Sequence, residues 1–314
     1  MEAASDERLL LLDRRMAALK KRAAPDLGES LELQAQLIRV ALSSAREPIT
    51  QSFPLPREQL IARLRDGVPL LHDQPAHVDI HFAADVFSRL VNVLQQREDG
   101  DLRGRLDTLA ASATGGLLDP QALFVEAFVQ HRDHLADIAA RAGVDADLLA
   151  ALAAQSVAPL LRAYAAQLMP LVERADDEAH WSRGYCPVCG AWPLLGELRG
   201  VELAQFLRCA GCGSAWRSAR LFCPYCQNDD YRSLRSLAIE GEQRFRVGVC
   251  ERCKGYLKVG NAFDPPSAEL LALDDVVTMH LDVAAIERGY QRPGGAGFTI
   301  ELALPEDEWV EELV

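Results

Sequence analysis

All eight cysteines of this 314-residue chain lie between positions 186 and 253, and all of them occur in Cys-x-x-Cys pairs. Two residues between two thiolates allow a tight turn to present both sulfurs to one metal ion. Nineteen residues separate the first pair from the second, and 23 residues separate the third pair from the fourth. Both separations are close to the spacing of about 15 to 20 residues in zinc ribbons. The spacing therefore predicts two four-sulfur metal sites. The first site uses Cys186, Cys189, Cys209 and Cys212, and the second uses Cys223, Cys226, Cys250 and Cys253.

Disulfides and redox-active dithiols are the alternatives to metal binding. Stable disulfides are disfavoured in the cytoplasm, and a thioredoxin-like motif would be one pair beside a βαβ unit. Tetrahedral sulfur sites suit zinc as well as iron, so the spacing leaves the metal open. Because a closed four-thiolate site has no position for substrate, a structural role is favoured. Electron transfer and metal sensing are the remaining alternatives.

The formal charge of the chain is −13 at pH 7. This acidity argues against nucleic acid as the main partner, because binding to phosphates needs a basic surface. Residues 181–260, however, hold twelve Lys and Arg against seven Asp and Glu, a local charge of +5. Four thiolates around one divalent ion leave about −2 per site, so these basic residues are expected to compensate the sites. A partner surface on the arginines, for example at Arg217 and Arg220, is the other interpretation.

The sequence gives two indications of where the protein acts. No stretch approaches the roughly 18 uncharged apolar residues of a membrane span, so none is expected. The N-terminus, Met1-Glu2-Ala3-Ala4-Ser5-Asp6-Glu7, is acidic where a signal peptide would be basic. Both observations predict a cytoplasmic protein.

Apolar residues at helical spacing dominate the chain as far as about residue 178. They predict a helix over about 78–97, one helix over about 119–141 that starts at Asp119-Pro120, and a long helix over about 145–173. Beyond this region helix formers give way to Gly, Pro, Cys, Arg and aromatic residues. Short strands and turns are expected there.

These changes in composition define the expected architecture. The predicted fold class is multi-domain α+β, with an N-terminal all-α helical domain, two tandem small zinc-ribbon-like modules that each bind metal through four cysteines, and a C-terminal segment. The expected bounds are 1–178 for the helical domain, 179–219 for the first module, 220–262 for the second module and 263–314 for a C-terminal segment that packs back on the modules. This last segment ends in an acidic, partly apolar stretch from Glu306 to Val314.

Side chains outside the cysteine pairs carry weaker signals. His77 and His81 lie four residues apart and His131 and His134 lie three apart. Without a His-Glu-x-x-His pattern, each pair is interpreted as part of a solvated helix face. Asp274-Asp275 is interpreted as a helix cap. The chain has no nucleophile elbow, dinucleotide fingerprint or phosphate loop, so no catalytic residue is predicted.

Four longer segments carry a resemblance to a known family. They are Tyr185-Cys186-Pro187-Val188-Cys189-Gly190, Leu207-Arg208-Cys209-Ala210-Gly211-Cys212, Phe222-Cys223-Pro224-Tyr225-Cys226 and Val249-Cys250-Glu251-Arg252-Cys253-Lys254-Gly255-Tyr256. In this order, behind a long helical region, they resemble the FdhE family of formate dehydrogenase accessory proteins. The stretch from Asp274 to Tyr290 is similar to the C-terminal segment of that family.

The resemblance implies a maturation factor that is not itself an enzyme. It implies two rubredoxin-like modules that bind iron, one ion per site, with the eight cysteines as ligands and zinc as the alternative metal. It also implies that the protein acts in the cytoplasm on the catalytic subunit of formate dehydrogenase, at a late maturation step before export. A rubredoxin-like electron-transfer or redox-sensing protein and a zinc-ribbon nucleic-acid-associated protein are the alternative functions. A homo-oligomer is left open.

Overall fold

The computed structural model describes residues 2–21, 27–43, 48, 50–97 and 100–303. In the described part of the chain, the regular elements as far as residue 175 are helices, and strands follow. The helices are α1 (Glu2–Lys20), α2 (Gly28–Leu42), α3 (Arg57–Asp66), α4 (Ile80–Gln95), α5 (Gly100–Thr114), α6 (Pro120–Val129), α7 (Arg132–Ala142) and α8 (Ala146–Ala175). The strands are β1 (Pro193–Arg199), β2 (Ala204–Cys209), β3 (Ala215–Arg217), β4 (Leu234–Leu237), β5 (Phe245–Cys250) and β6 (Tyr256–Asn261). Two short helices come last, α9 (Leu271–Val277) and α10 (Met279–Ile286).

Helix α4 illustrates why the N-terminal sequence folds into helices. Its apolar residues recur every three or four positions, which places them on one side of the helix. That side is buried, and it carries Phe82, Val86, Leu90, Val91 and Leu94. Asp79 caps the helix, because its carboxylate accepts a hydrogen bond of 3.0 Å from the N–H of Phe82. The structure confirms the helix predicted over about 78–97.

The single helix predicted over about 119–141 is wrong, because the chain turns at Gln130. This residue has a φ of 63°, in the left-handed region. An L-residue in that conformation ends a right-handed helix, so α6 and α7 are separate. The predicted start is confirmed: Asp119 accepts a 3.0 Å hydrogen bond from the N–H of Gln121, and Pro120 occupies the first turn.

Helix α8 is the central helix of the N-terminal half. It packs against α3, α4, α6 and α7, and its buried residues include Leu149, Val157 and Tyr164. By length and composition alone α8 could cross a membrane, which qualifies the expectation that no such stretch exists. Half of its most apolar 18-residue window is buried inside the protein, as expected for a core helix. The length of α8 thus has an explanation within the fold.

In the described part of the chain, the six strands form one sheet in the order β3-β2-β1-β6-β5-β4. The strands β1 to β3 pair antiparallel within the first module, and β4 to β6 pair antiparallel within the second. The two sets meet where β1 runs parallel to β6, with Gly196 opposite Val259 and Leu198 opposite Asn261. The tandem modules are therefore continuous in a single sheet.

The C-terminal segment contacts both halves of the molecule. Leu273 of α9 joins an apolar cluster with α1 and α2. Leu281 of α10 packs in another cluster with Tyr256 of the second module. Farther along, Ile300 enters the main core of the helical region. The acidic stretch from Glu306 to Val314 lies outside the described residues.

The predicted fold class is confirmed: helices come first, and a sheet that carries two four-cysteine clusters follows. For its parts we propose the bounds 1–178, 179–219, 220–262 and 263–314. The end of α8 at Ala175 supports the first of these bounds.

The interpretation of Asp274-Asp275 as a helix cap is wrong, because both carboxylates form ion pairs instead. Asp274 is buried and accepts hydrogen bonds of 2.5 and 2.6 Å from Arg15 of α1. Asp275 lies 2.8 Å from the ammonium of Lys258 and 2.8 Å from the guanidinium of Arg292. These pairs tie the C-terminal segment to α1 and to the sheet.

A close backbone approach at Gly184 offers a test of how the modules pack. A Cβ atom at this position would lie 1.8 Å from the carbonyl oxygen of Pro224 in the second module. We expect Gly184→Ala to lower the free energy of unfolding by about 1–3 kcal/mol, because the two segments must move apart. Gly248→Ala is the matched control, since its Cβ would lie 3.7 Å from the carbonyl oxygen of Leu257, an ordinary contact. Urea denaturation measures both losses, and equal losses would contradict this packing.

Candidate metal centres

The first four-cysteine cluster is fully buried. The Sγ atoms of Cys186 and Cys212 are 3.6 Å apart, and those of Cys189 and Cys209 are 3.4 Å apart. Each Cys-x-x-Cys pair lies in a turn that is followed by a glycine with a positive φ, 75° in one case and 72° in the other. In the first turn, the N–H of Gly190 donates to the carbonyl of Cys186 at 3.0 Å. Glycine suits this position because it has no Cβ to clash with the preceding backbone.

The second cluster has the same arrangement but is more accessible. The Sγ distances are 3.6 Å for Cys223 and Cys253, and 3.7 Å for Cys226 and Cys250. Cys226 and Cys253 are partly exposed. The residues after the two turns, Gln227 and Lys254, have φ values of 58° and 57° without being glycine. That conformation is less favourable for a residue with a side chain, so these turns are less well suited to their geometry than those of the first cluster.

The sulfur distances fit one metal ion in each cluster. Tetrahedral coordination with metal–sulfur bonds of about 2.3 Å separates the sulfurs by about 3.8 Å. The closest sulfurs here are 3.4 to 3.7 Å apart, far beyond the roughly 2.05 Å of a disulfide bond. The structure thus groups the eight cysteines four and four, as the spacing predicts. This donor set can hold two metal ions and suits zinc as well as iron.

The acidity of these thiols fits the binding of a cation at each cluster. Burial raises the pKa of Cys186 and Cys223, and it raises that of Cys253 to about 11. At Cys250, burial opposes ionisation, but hydrogen bonds from the backbone N–H groups of Cys253 and Arg252 lower the pKa to about 7. Four neighbouring thiols therefore do not all ionise by themselves. A bound cation supplies the charge that stabilises the thiolates.

Two arginines beside the first cluster supply positive charge. Arg208 immediately precedes Cys209 on β2 and is buried, as the sequence suggested for a compensating residue. Arg162 comes from α8 and lines a small cavity of about 60 Å³ with Cys209 and Gly211. Burial lowers the pKa of Arg162, and the nearby charges of Glu269 and Cys212 act against that lowering. Sequence reasoning missed Arg162, because it is far from the cysteines along the chain.

The helical half holds the first cluster directly. The backbone N–H of Leu70 donates to the carbonyl of Pro187 at 2.8 Å, and that of Leu71 donates to Val188 at 3.1 Å. The side-chain amide of Gln130 donates to the carbonyl of Cys189 at 2.8 Å. The four cysteines of this cluster also belong to the main apolar core. The first metal centre is therefore part of the helical core as well as of the sheet.

A groove on the sheet surface lies beside the second cluster. Its volume is about 500 Å³, and Cys223 and Cys250 both line it. Apolar side chains of β6 line it, and so do three arginines. The apolar side chains are Leu257 and Val259, and the arginines are Arg220, Arg235 and Arg246. Arg217 is exposed on β3 and does not line the groove.

The histidine pairs behave differently from one another. His77 precedes α4, whereas His81 lies within it, so the two do not share a helix face. His131 and His134 converge on Glu126, which sequence reasoning missed because Glu126 lies in the preceding helix. Their interpretation as a plain solvated face is therefore incomplete.

The difference in burial leads to a prediction about metal retention. We expect Cys253→Ser to lose about one metal ion per chain with a small drop in melting temperature, because its cluster lies at the surface. We expect Cys186→Ser to lose one ion as well, but with a much larger drop, since structural metal sites supply folding free energy and this one is in the core. Elemental analysis and calorimetry measure both effects. The prediction fails if the two variants melt at the same temperature.

The ion pair of Arg208 leads to a second prediction. Arg208 donates to Glu197 at 2.6 Å and to the carbonyls of Gly213 and Pro266 at 3.2 and 3.0 Å. We expect Arg208→Ala to lower the free energy of unfolding by about 3 kcal/mol, because it leaves buried polar groups unpaired. The control is Arg199→Ala, which removes a partly exposed partner of the same carboxylate. This change should lower the free energy of unfolding by at most about 1 kcal/mol. Chemical denaturation distinguishes the two, and a similar loss in both would contradict the prediction.

Comparison with known proteins places these features in a family. The family model described as "FdhE, C-terminal domain" matches residues 221–298, which include the second cluster, α9 and α10. The "Protein FdhE homolog" of Aquifex aeolicus is 23% identical over 279 residues, 88% of this chain and 90% of that protein. The "Protein FdhE" of Escherichia coli O127:H6 is 26% identical over 90% of this chain and 85% of its own. The "Protein FdhE homolog" of Pseudomonas aeruginosa is 34% identical over 46% of this chain and 49% of its own.

A solved structure shares the fold. It is the crystal structure of the FdhE protein from Pseudomonas aeruginosa, with a TM-score of 0.56 and 20% sequence identity over 94% of this chain and 95% of that chain. The similarity over nearly the whole length agrees with the sequence matches and with the motifs around the cysteine pairs. Residues 221–298 thus belong to the family of FdhE C-terminal domains, and the chain is similar to FdhE proteins over most of its length.

Proposed function

We propose that this protein is an accessory factor for the assembly of active formate dehydrogenase. It acts on the catalytic subunit through its metal-stabilised modules and is not itself a formate dehydrogenase. The match of residues 221–298 to the FdhE C-terminal domain and the similarity of most of the chain to FdhE proteins support this role. The eight cysteines would bind two metal ions, one per cluster, with iron as the proposed metal and zinc as the alternative. The proposed location is the cytoplasm.

The groove beside the second cluster is the observation that carries the proposal. It is open, apolar side chains line it, and so do two cysteines of the second cluster. A segment of the partner in this groove would contact the backbone that holds the metal. Binding of the partner and binding of the metal are then expected to depend on each other.

The charges around the groove indicate which kind of segment it accepts. Arg220, Arg235 and Arg246 are exposed along it. The guanidinium of Arg235 is already paired with Glu251 at 3.9 Å, so Arg220 and Arg246 are the arginines proposed to contact the partner. An extended segment with apolar and acidic side chains would complement the apolar lining and these two arginines. We propose that the catalytic subunit of formate dehydrogenase presents such a segment.

Electron transfer at the second cluster is a second candidate function. The partial exposure of Cys226 and Cys253 favours it, because a redox centre near the surface can approach a partner. Iron in the cluster would be needed, since zinc has no redox chemistry under physiological conditions. Metal analysis with a visible spectrum of anaerobically purified protein separates the options. Iron with a reversible reddish absorbance keeps electron transfer in place, and colourless zinc protein excludes it.

Charge reversal in the groove tests the docking proposal. We expect the double variant Arg220→Glu/Arg246→Glu to bind the catalytic subunit at least about tenfold more weakly, because two attractive contacts become repulsive. The measurement is a titration of purified protein against the tagged subunit, with metal content checked in each variant.

Two matched controls locate the effect. Arg217→Glu changes the same charge in the same half of the molecule but outside the groove, and Arg103→Glu changes an exposed arginine of α5. Both should bind like the unmodified protein. Undiminished binding by the double variant, or an equal loss in the Arg217→Glu control, would overturn the groove as the docking site.

A further inference from the structure

Three potential metal ligands meet at the corner between α6 and α7. Glu126 lies in the last turn of α6, His131 precedes α7, and His134 lies in its first turn. The Nδ1 atom of His131 is 2.9 Å from Oε2 of Glu126, and the Nδ1 atom of His134 is 3.0 Å from the same oxygen. One donor atom from each of the three residues lies within 4.8 Å of the others. Neither sulfur cluster includes any of these residues.

The separations suit a metal ion of the octahedral type. With metal–ligand bonds of about 2.1 Å, neighbouring octahedral ligands are about 3.0 Å apart. The two nitrogen–oxygen distances, 2.9 and 3.0 Å, already have that value. Two imidazoles and one carboxylate on one face are the ligand set of mononuclear sites that keep open positions. Hydrogen bonds from the imidazoles have the same lengths, so an ion can replace their protons with little movement of the ligands.

An open cavity next to these residues provides room for the remaining ligands. It has a volume of about 580 Å³, and His131 and His134 line it together with Asp133. The segment Gly294-Gly295-Ala296 lines the cavity as well. Arg132 also lines the cavity, but its guanidinium is paired with Asp147 at 3.1 Å. The carboxylate of Glu126, at 2.9 and 3.0 Å, is in direct contact with both imidazoles.

The corner is held in place from both sides. The N–H of His131 donates to the carbonyl of Glu126 at 3.0 Å, so the backbone fixes the two residues relative to each other. Gln130, in the left-handed conformation between the two helices, is anchored by its hydrogen bond to the carbonyl of Cys189. The ligand positions are thus set by the same contact that joins the helical region to the first sulfur cluster. A preformed arrangement favours binding, because little ordering is needed.

We propose that Glu126, His131 and His134 form a third metal site, which binds a divalent first-row transition-metal ion. The ion has three protein ligands, and its open positions face the cavity. Unlike the closed sulfur clusters, this site can exchange its ion and accept an external ligand.

Cobalt binding to the full-length protein tests the third site. The two sulfur clusters are first filled with Zn²⁺, loosely held zinc is removed by dialysis, and Co²⁺ is then titrated. We expect one additional cobalt ion per chain, with weak d–d absorbance and without a thiolate-to-cobalt charge-transfer band. The double variant His131→Gln/His134→Gln should bind this ion at least about tenfold more weakly, because it lacks two ligands. The single variant Glu126→Gln should weaken it as well.

The controls separate a lost ligand from a lost fold. His81→Gln removes an exposed histidine of α4 and should leave cobalt binding unchanged. Retention of both zinc ions by every variant shows that the fold is intact. The proposal is overturned if the unmodified protein binds no additional cobalt, if its only bound cobalt has the charge-transfer band, or if the double variant binds cobalt as tightly as the unmodified protein.

Discussion

The convergence of four buried thiols in the first cluster is the constraint on which the rest of the structure depends. Burial raises the pKa of Cys186, so four thiolates in this position require a cation. The turns that present these sulfurs are also the surface that α8 and the segment at Leu70 and Leu71 contact. A metal in this cluster would therefore stabilise the joint between the helical region and the sheet, and not only one small module.

The second cluster repeats the chemistry in a different setting. Its turns use Gln227 and Lys254 in the left-handed conformation where the first cluster uses glycine, and two of its cysteines are partly exposed. It borders the open groove. One sheet thus carries a four-sulfur cluster in the core and another near the surface. The surface position is the one at which we propose that a partner binds.

The arginines around the two clusters differ in the same way, buried or partly buried at the first and exposed at the second. Around the first cluster, Arg208 is buried and each nitrogen of its guanidinium donates a hydrogen bond, and Arg162 of α8 is partly buried. Around the groove of the second cluster, the arginines are exposed. The basic character of residues 181–260 therefore has two sources. Part of it compensates buried structure, and part of it is available to an acidic ligand.

The sequence by itself determined the features that depend on short spacing. The Cys-x-x-Cys pairs lie in tight turns, the grouping of cysteines follows their separation, and α4 follows its apolar period, because each depends on residues that are near one another in the chain. The break at Gln130 was not predicted, since a left-handed residue other than glycine leaves no clear local signal. Only the tertiary structure decided the features that depend on distant segments. The parallel pairing of β1 and β6, the approach of Arg162 to the first cluster and the meeting of Glu126 with two histidines all require the packing of separate elements. Such contacts are set by the free energy of the whole core, and no local pattern encodes them.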